Sequence, residues 1–252
     1  MALYIIGLGL DNEKDITLKG LEIVKKSELV FLEYYTSKLN CSIEDLEKLY
    51  GKKIIIANRE LVEKKSDEII LPAKEHDVAF LVMGDAMAAT THTDLMIRAK
   101  EKGIDVFVVN NASVFSAVSL TGLQLYKFGK ATSIPFLREH FKPETFYDVI
   151  KENKAAGLHT LVLLDLDPVF NKFMTVNEAI KILFEIESRR KENVFTEETL
   201  CVGCARLGSF DAKIKAGTAG ELFSFDFGAP VHCLVIPGKM HFMEEDFLKL
   251  FM

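Results

Sequence analysis

Apolar positions along this chain fall into short continuous runs separated by stretches with a helical period. The runs "LYIIGL" (3–8), "ELVFLE" (28–33), "KIIIAN" (53–58), "VAFLVM" (78–83) and "DVFVVN" (105–110) are strand-length and rich in β-branched and aromatic residues. Between them, "TLKGLEIVKKS" (17–27) places Leu18, Leu21, Ile23 and Val24 near one helix face. "TDLMIRAKEKG" (93–103) groups Leu95, Met96 and Ala99, then closes on lysines and a glycine, which is a helix stop. Strands alternating with helices predict a mostly parallel sheet covered on both sides.

A second set follows with wider spacing. "HTLVLLDL" (159–166), "TLCVGCARLG" (199–208) and "VHCLVIPG" (231–238) read as strands. "TFYDVIKENKAAG" (145–157) and "TVNEAIKILFEIESRRKEN" (175–193) read as helices. "KFGKATSIPFLREHFKPE" (127–144) has weak periodicity and two prolines and reads as a loop. The prediction is therefore an α/β chain of two α/β domains, 1–115 and 116–252. No internal repeat or low-complexity segment interrupts them.

Composition narrows the partners. The 252 residues are 49% hydrophobic and 27% charged, as in ordinary soluble domains. A formal net charge of −6 argues against a general nucleic-acid or anionic-membrane binder, which needs a basic face. The opening apolar run, "ALYIIGLGL", follows no basic region and falls well short of the roughly 20 residues of a spanning helix. The chain reads as cytoplasmic.

Candidate chemistry is sparse. Cys201 and Cys204 form "CVGC", half of a zinc site or a redox pair by spacing. No second C-x-x-C and no paired histidines complete it, and a strand there sends the two thiols to opposite faces. Together with Cys41 and Cys233 they read as free cysteines of small apolar character, and no metal is predicted. Six histidines are scattered without ligand spacing. His232, at the start of an apolar strand, reads as a core or rim residue. "ESRRKEN" (187–193) reads as a solvated helix end. There is no nucleophile elbow and no serine–histidine signature.

Three loops stand out because each follows a strand and is built of small polar residues. In "IIGLGLDNEKDIT", Gly7 and Gly9 begin a G-x-G, but Asn12 stands where a dinucleotide fingerprint needs its third glycine, and no Walker phosphate loop occurs. "GDAMAATTH" (84–92) and "NNASVFSA" (110–117) occupy the same position after later strands. Ligands of open α/β sheets bind outside the carboxyl ends of strands, so these loops are candidate walls of one pocket. Asp85 has two readings: a partner for ribose hydroxyls or the charged end of an amino-acid-like ligand, or the cap of the next helix.

With these residues in hand the chain resembles a known family. "LYIIGLGLDNEKDITLKGLEIVKKSELVFLEYYTSKL", "GDAMAATTHTDLMIRAKEKGI", "NNASVFSAVSLTGLQLYKFGKATSIPF", "GLHTLVLLDL", "TLCVGCARLGS" and "PVHCLVIPGKMHFMEEDFL" are similar, in order and over nearly the whole length, to the diphthine synthase family of diphthamide-biosynthesis methyltransferases. That family lies within the wider tetrapyrrole-methylase-like superfamily. The resemblance implies two α/β domains of the tetrapyrrole methylase type with S-adenosylmethionine in the cleft between them, converted to S-adenosylhomocysteine, and a homodimer. It implies methylation of the amino group of a modified histidine on translation elongation factor 2.

Carried over motif by motif, the implied cofactor contacts are Leu10 after "GLG", Asp85 and Ala88 in "GDAMA", and Ser113 and Val114 in "NASV". They continue with Leu164 in "LVLLD", Leu207 or Gly208 in "ARLGS", and His232 or Cys233 in "PVHC", many through backbone groups. No catalytic residue is assigned. His92 and Asp85 are the titratable groups nearest by sequence position, and Asp85 reads better as a cofactor contact. Ala86 stands where the family usually has proline and Asn110 where it usually has histidine, which bears on loop rigidity and cofactor affinity. Two points stay open: whether three methyl groups or four are added, and whether the acceptor is instead a tetrapyrrole or another small molecule.

Overall fold

A computed structural model describes residues 1–252. They form two compact units, Met1–Val114 and Phe115–Met252.

In the first unit, β1 (Leu3–Gly7), β2 (Leu29–Glu33), β3 (Ile55–Ala57), β4 (Val78–Val82) and β5 (Val106–Val109) form one sheet in the order β3-β2-β4-β1-β5. Every neighbouring pair is parallel. β4 is buried along its whole length, which explains its unbroken apolar sequence: a strand covered on both faces has no solvent side to alternate toward. One face packs under Phe31, Ile69, Phe80 and Leu95, the other under Val24, Leu32, Leu46 and Leu81. The covering helices are α1 (Leu18–Lys26), α2 (Ile43–Tyr50), α3 (Arg59–Lys64), α4 (Asp67–Ile70) and α5 (Thr93–Glu101). α5 ends as its sequence predicts, with Gly103 at φ 72° and its N–H donating to the Lys100 carbonyl. Leu18, read as part of the apolar face of α1, is exposed; Val24 carries the burial.

At the junction a single helical turn, α6 (Val114–Ala117), begins. The second unit then builds β6 (Thr132–Ile134), α7 (Thr145–Ala155), β7 (Thr160–Leu164), a small hairpin of β8 (Leu166–Asp167) and β9 (Lys172–Phe173), and α8 (Val176–Arg190). It continues with β10 (Leu200–Ala205), β11 (Lys213–Thr218), α9 (Ala219–Phe223), β12 (His232–Ile236) and α10 (Phe242–Leu248). Its sheet runs β11-β10-β12-β7-β6. Only β6 and β7 are parallel; the other pairs are antiparallel. The expectation of a mostly parallel sheet thus describes the first unit alone. For β10 and β11 the cause is connection length: the short 206–212 segment joins them, whereas a parallel crossover needs about a dozen residues or more. The 127–144 stretch read as a loop contains β6, too short at three residues to show a period.

The segment "GLQLYKFG" (122–129) is fastened by a buried carboxylate. Glu244 of α10 accepts hydrogen bonds from the Gln124 N–H (2.9 Å), His159 Nε2 (2.9 Å) and the His241 N–H (2.6 Å), and it pairs with the Lys127 ammonium. Glu244 and His159 are inaccessible to solvent, and His159 Nδ1 accepts from the Gly238 N–H at 2.9 Å.

Candidate active site

Strands β1 and β4 lie side by side at the centre of the first sheet, so the loops leaving their carboxyl ends start as neighbours. Leu8 N–H donates to the Val82 carbonyl at 2.8 Å, and Gly9 and Gly84 exchange both backbone hydrogen bonds, at 3.1 and 2.7 Å. Gly9 and Gly84 have φ of 83° and 79°, conformations that glycine enters without a Cβ penalty. A Cβ on Gly7 would lie 2.7 Å from the Gly84 carbonyl oxygen and 2.9 Å from Asn111 Cβ. The G-x-G therefore serves to bring two backbones together. Above Gly84 the space is open: a Cβ there would meet only the Ala112 carbonyl oxygen at 3.9 Å and Leu10 Cδ2 at 4.0 Å. Gly7→Ala is expected to cost about 1–3 kcal/mol through this overlap, read as a lower melting temperature in calorimetry; an unchanged melting temperature contradicts it.

Asp85 closes the same cluster. Its Oδ1 accepts from the Met87 N–H at 2.8 Å, and its Oδ2 from the Asn111 N–H at 2.9 Å and Asn110 Nδ2 at 3.1 Å. Burial pushes this carboxyl up, but these donors outweigh it and hold it below the usual range. Asn110, standing where the resemblance leads one to expect histidine, is thus one of the donors. Ala86, in place of proline, is fully buried. Asn111 Nδ2 reaches back to the carbonyls of Gly7 and Asp15, both at 3.0 Å. Asp15 in turn accepts from the N–H groups of Leu10 and Asp11. The β2 connection joins through Asn40, whose backbone and side-chain amides both donate to Asp11. Leu10, Asp85, Ala88 and Ser113 therefore stand at one end of one sheet, on loops bonded to each other.

His92 does not join them. It is 2% exposed, with Nδ1 3.3 Å from the Ala86 carbonyl oxygen and its ring edge-on to Phe80. Burial also lowers its pKa; with its ring turned into the core it reads as a packing histidine, out of reach of a ligand.

In the second unit, Leu164 ends β7, Leu207 and Gly208 follow β10, and His232 and Cys233 begin β12. β12 is antiparallel to both, with Cys233 opposite Leu163 and His232 opposite Ala205, so all five residues share one end of that sheet. His232 is occupied: Nε2 donates to the Ala229 carbonyl at 3.0 Å and Nδ1 accepts from the Val176 N–H at 3.4 Å. Burial lowers its pKa. Its side chain is thus committed to the protein itself. Cys201 and Cys204 are fully buried, and Cys204 faces Cys233 across the strands. Its hydrogen bond to that thiol and its burial hold it well above the usual thiol range, as befits a structural cysteine.

Residues 2–222 match the family described as Tetrapyrrole (Corrin/Porphyrin) Methylases. The chain belongs to this family. Within it the similarity runs to diphthine synthases. The chain is 51% identical over 250 residues to the diphthine synthase of Methanocaldococcus jannaschii, covering 98% of this chain and 97% of that one. It is 49% identical over 268 residues to the diphthine methyl ester synthase of Dictyostelium discoideum, covering 100% and 98%. A crystal structure of diphthine synthase superposes with a TM-score of 0.91 at 38% identity, covering 100% of this chain and 96% of that one. The chain is a methyltransferase of this diphthine synthase group, acting in diphthamide biosynthesis. No helix is long and apolar enough to cross a membrane.

Sequence reasoning missed the residues that organise the loops: Asp11, Asp15, Asn40 and Asn111, and a buried carboxyl group, Glu33, at the end of β2. For Glu33 the signal was present, a carboxylate closing an apolar strand.

Proposed function

We propose that this methyltransferase uses S-adenosylmethionine to methylate the amino group of the modified histidine on translation elongation factor 2, working in the cytoplasm as a homodimer. The observation that carries the reading is the similarity of about half of all residues, end to end, to diphthine synthases. That similarity also favours the protein acceptor over a tetrapyrrole.

The loops of the first unit fit the cofactor. The open space over Gly84, between Leu10 and Ala112, admits a ligand against the backbone, and Asp85 places a carboxylate beside it. Leu10, Asp85, Ala88, Ser113 and Val114 are the proposed contacts there. Leu164, Leu207, Gly208, His232 and Cys233 are those of the second unit, the last two through backbone groups. S-adenosylmethionine supplies an electrophilic methyl group when bound. The protein's part is alignment: holding donor and acceptor in a near-attack pose lowers such a barrier by roughly 7–11 kcal/mol.

The test is the intact mass of elongation factor 2 carrying the unmethylated intermediate, before and after incubation with this protein and S-adenosylmethionine. Successive methyl increments are expected. A final count of three marks the trimethyl product, and a fourth marks the methyl ester. Cofactor binding without increments would move the assignment to another acceptor.

A further inference from the structure

The structure holds one buried side-chain oxygen with no hydrogen-bond partner, Oε1 of Glu33. Side chains alternate along a strand, so Glu33 shares a face of β2 with Phe31, which packs among Ala57, Phe80, Val82 and Ala86. A carboxyl group stands where the pattern calls for an apolar side chain, and it is fully buried. Its other oxygen, Oε2, accepts from the Thr36 hydroxyl at 2.8 Å, and Thr36 is exposed. Thr36 is therefore the link between this carboxyl and the surface.

The pair sits at the same end of the first sheet as the candidate site. β2 is the neighbour of β4, roughly 5 Å away, so Glu33 ends one strand across from where the Asp85 loop begins. Thr36 lies on the connection that Asn40 ties to Asp11 of the β1 loop.

The charged and titratable groups around Glu33 are few. α3 brings Arg59 and Glu63, which pair with each other at 3.6 Å, and Arg59 lies over the Tyr35 ring at 5.3 Å. Tyr35 belongs to the same connection as Thr36. β3 contributes Ala57, β4 contributes Phe80 and Val82, and the 84–92 segment contributes Ala86, with His92 edge-on to Phe80. Burial pushes the Glu33 carboxyl up to about 7, with the Thr36 hydroxyl and the Arg59 charge pulling only partly against it. A group that takes up and releases a proton near working pH is suited to general-base work.

We propose that Thr36 and Glu33 form the relay that neutralises the acceptor amine; this rests on the functional reading above. The N–H bond of the substrate ammonium breaks and its proton goes to Thr36 Oγ1. The hydroxyl proton passes to Glu33 Oε2. The amine is left with a free lone pair, Thr36 is a hydroxyl again and Glu33 is a neutral carboxylic acid. Glu33 returns its proton to solvent before the next methylation. Thr36 is the catalytic residue in this scheme, and Glu33, acting through it, is a positioning and proton-holding residue.

The experiment uses the full chain, the elongation factor 2 intermediate and S-adenosylmethionine, with wild type, Glu33→Gln, Thr36→Val and Thr36→Ser. The wild-type methylation rate is expected to rise with pH through about 7. Glu33→Gln and Thr36→Val are expected to lose that rise and about a hundredfold in rate, with cofactor affinity unchanged by calorimetry. Thr36→Ser, which retains the hydroxyl, restores the rise and most of the rate. Infrared difference spectra of the wild type should show a neutral carboxylic acid disappearing through the same pH range, and Glu33→Gln should lack it. A Glu33 that titrates in the ordinary carboxylate range overturns the relay even if a variant does not fold. Variants that keep the wild-type rate and profile overturn the relay alone. A wild type that binds cofactor but methylates nothing overturns the functional reading and the relay with it.

Discussion

Glu244→Leu is expected to lower the unfolding free energy of the second unit by about 3–5 kcal/mol. The change removes the acceptor for Lys127, His159 and two backbone N–H groups at once. The Lys127 ammonium loses its ion partner, and the fully buried His159 ring has no water to turn to. A buried donor stranded in this way carries its full desolvation cost. Glu244→Gln keeps one acceptor oxygen and should lose less. Urea unfolding midpoints check the order wild type, Gln, Leu; a leucine variant within the error of the wild type contradicts it.

The same residue predicts an acid limb. Burial raises the Glu244 carboxyl, but its donors win and hold it at about 2, against an ordinary 4.5. A depressed folded-state value means that the folded chain favours the carboxylate. The stabilisation is therefore complete above about pH 5 and is lost as pH falls toward about 2. The Gln variant should be flatter over that window.

Asp85→Ala is expected to weaken S-adenosylmethionine binding by at least about tenfold, or roughly 1.4 kcal/mol. The carboxylate is the point at which the β4 and β5 loops meet, through Met87, Asn110 and Asn111. Alanine leaves those donors unsatisfied and lets the walls of the open space over Gly84 separate. Asp85→Asn is a sharper probe, because its amide places an N–H against the donors that now bind Oδ1 or Oδ2. It should approach the alanine variant in effect, although it is nearly the shape of aspartate. Titration calorimetry reads both, and an alanine variant with wild-type affinity removes Asp85 from the site.

Legibility in the sequence followed burial. β4 is covered on both faces, so "VAFLVM" announces a strand without context. The α5 stop could be read because lysines and Gly103 act locally. β6 could not, since its three residues acquire strand geometry only by pairing with Thr160–Leu164 neighbours far along the chain. The mixed pairing of the second sheet depends on the lengths of connections whose ends could not be placed in advance. Within the candidate site, Gly7, Gly9, Asp85 and the 110–113 loop were visible as small polar residues after strands. The network that fixes them was not: Asn111 meets Gly7 from 104 positions away, and Asn40 meets Asp11 from 29. Contacts of that kind leave no periodic trace. His92 misled for the opposite reason, because its position beside a functional loop says nothing of the side to which its ring turns. The unit 2 contacts rested on the resemblance alone.

The distribution of thiols gives this chain an internal clock and a reference for it. Cys201, Cys204 and Cys233 lie inside the second sheet, while the half-buried Cys41 is the single cysteine of the first unit. A maleimide or disulfide reagent can reach the three only when β10 and β12 part, whereas Cys41, with its thiol raised to about 11, reacts slowly without any such opening. Modification followed by peptide mass therefore times the opening of the second sheet against Cys41 as an internal reference in one native sample. Cofactor added to that sample would reveal whether it quiets that opening.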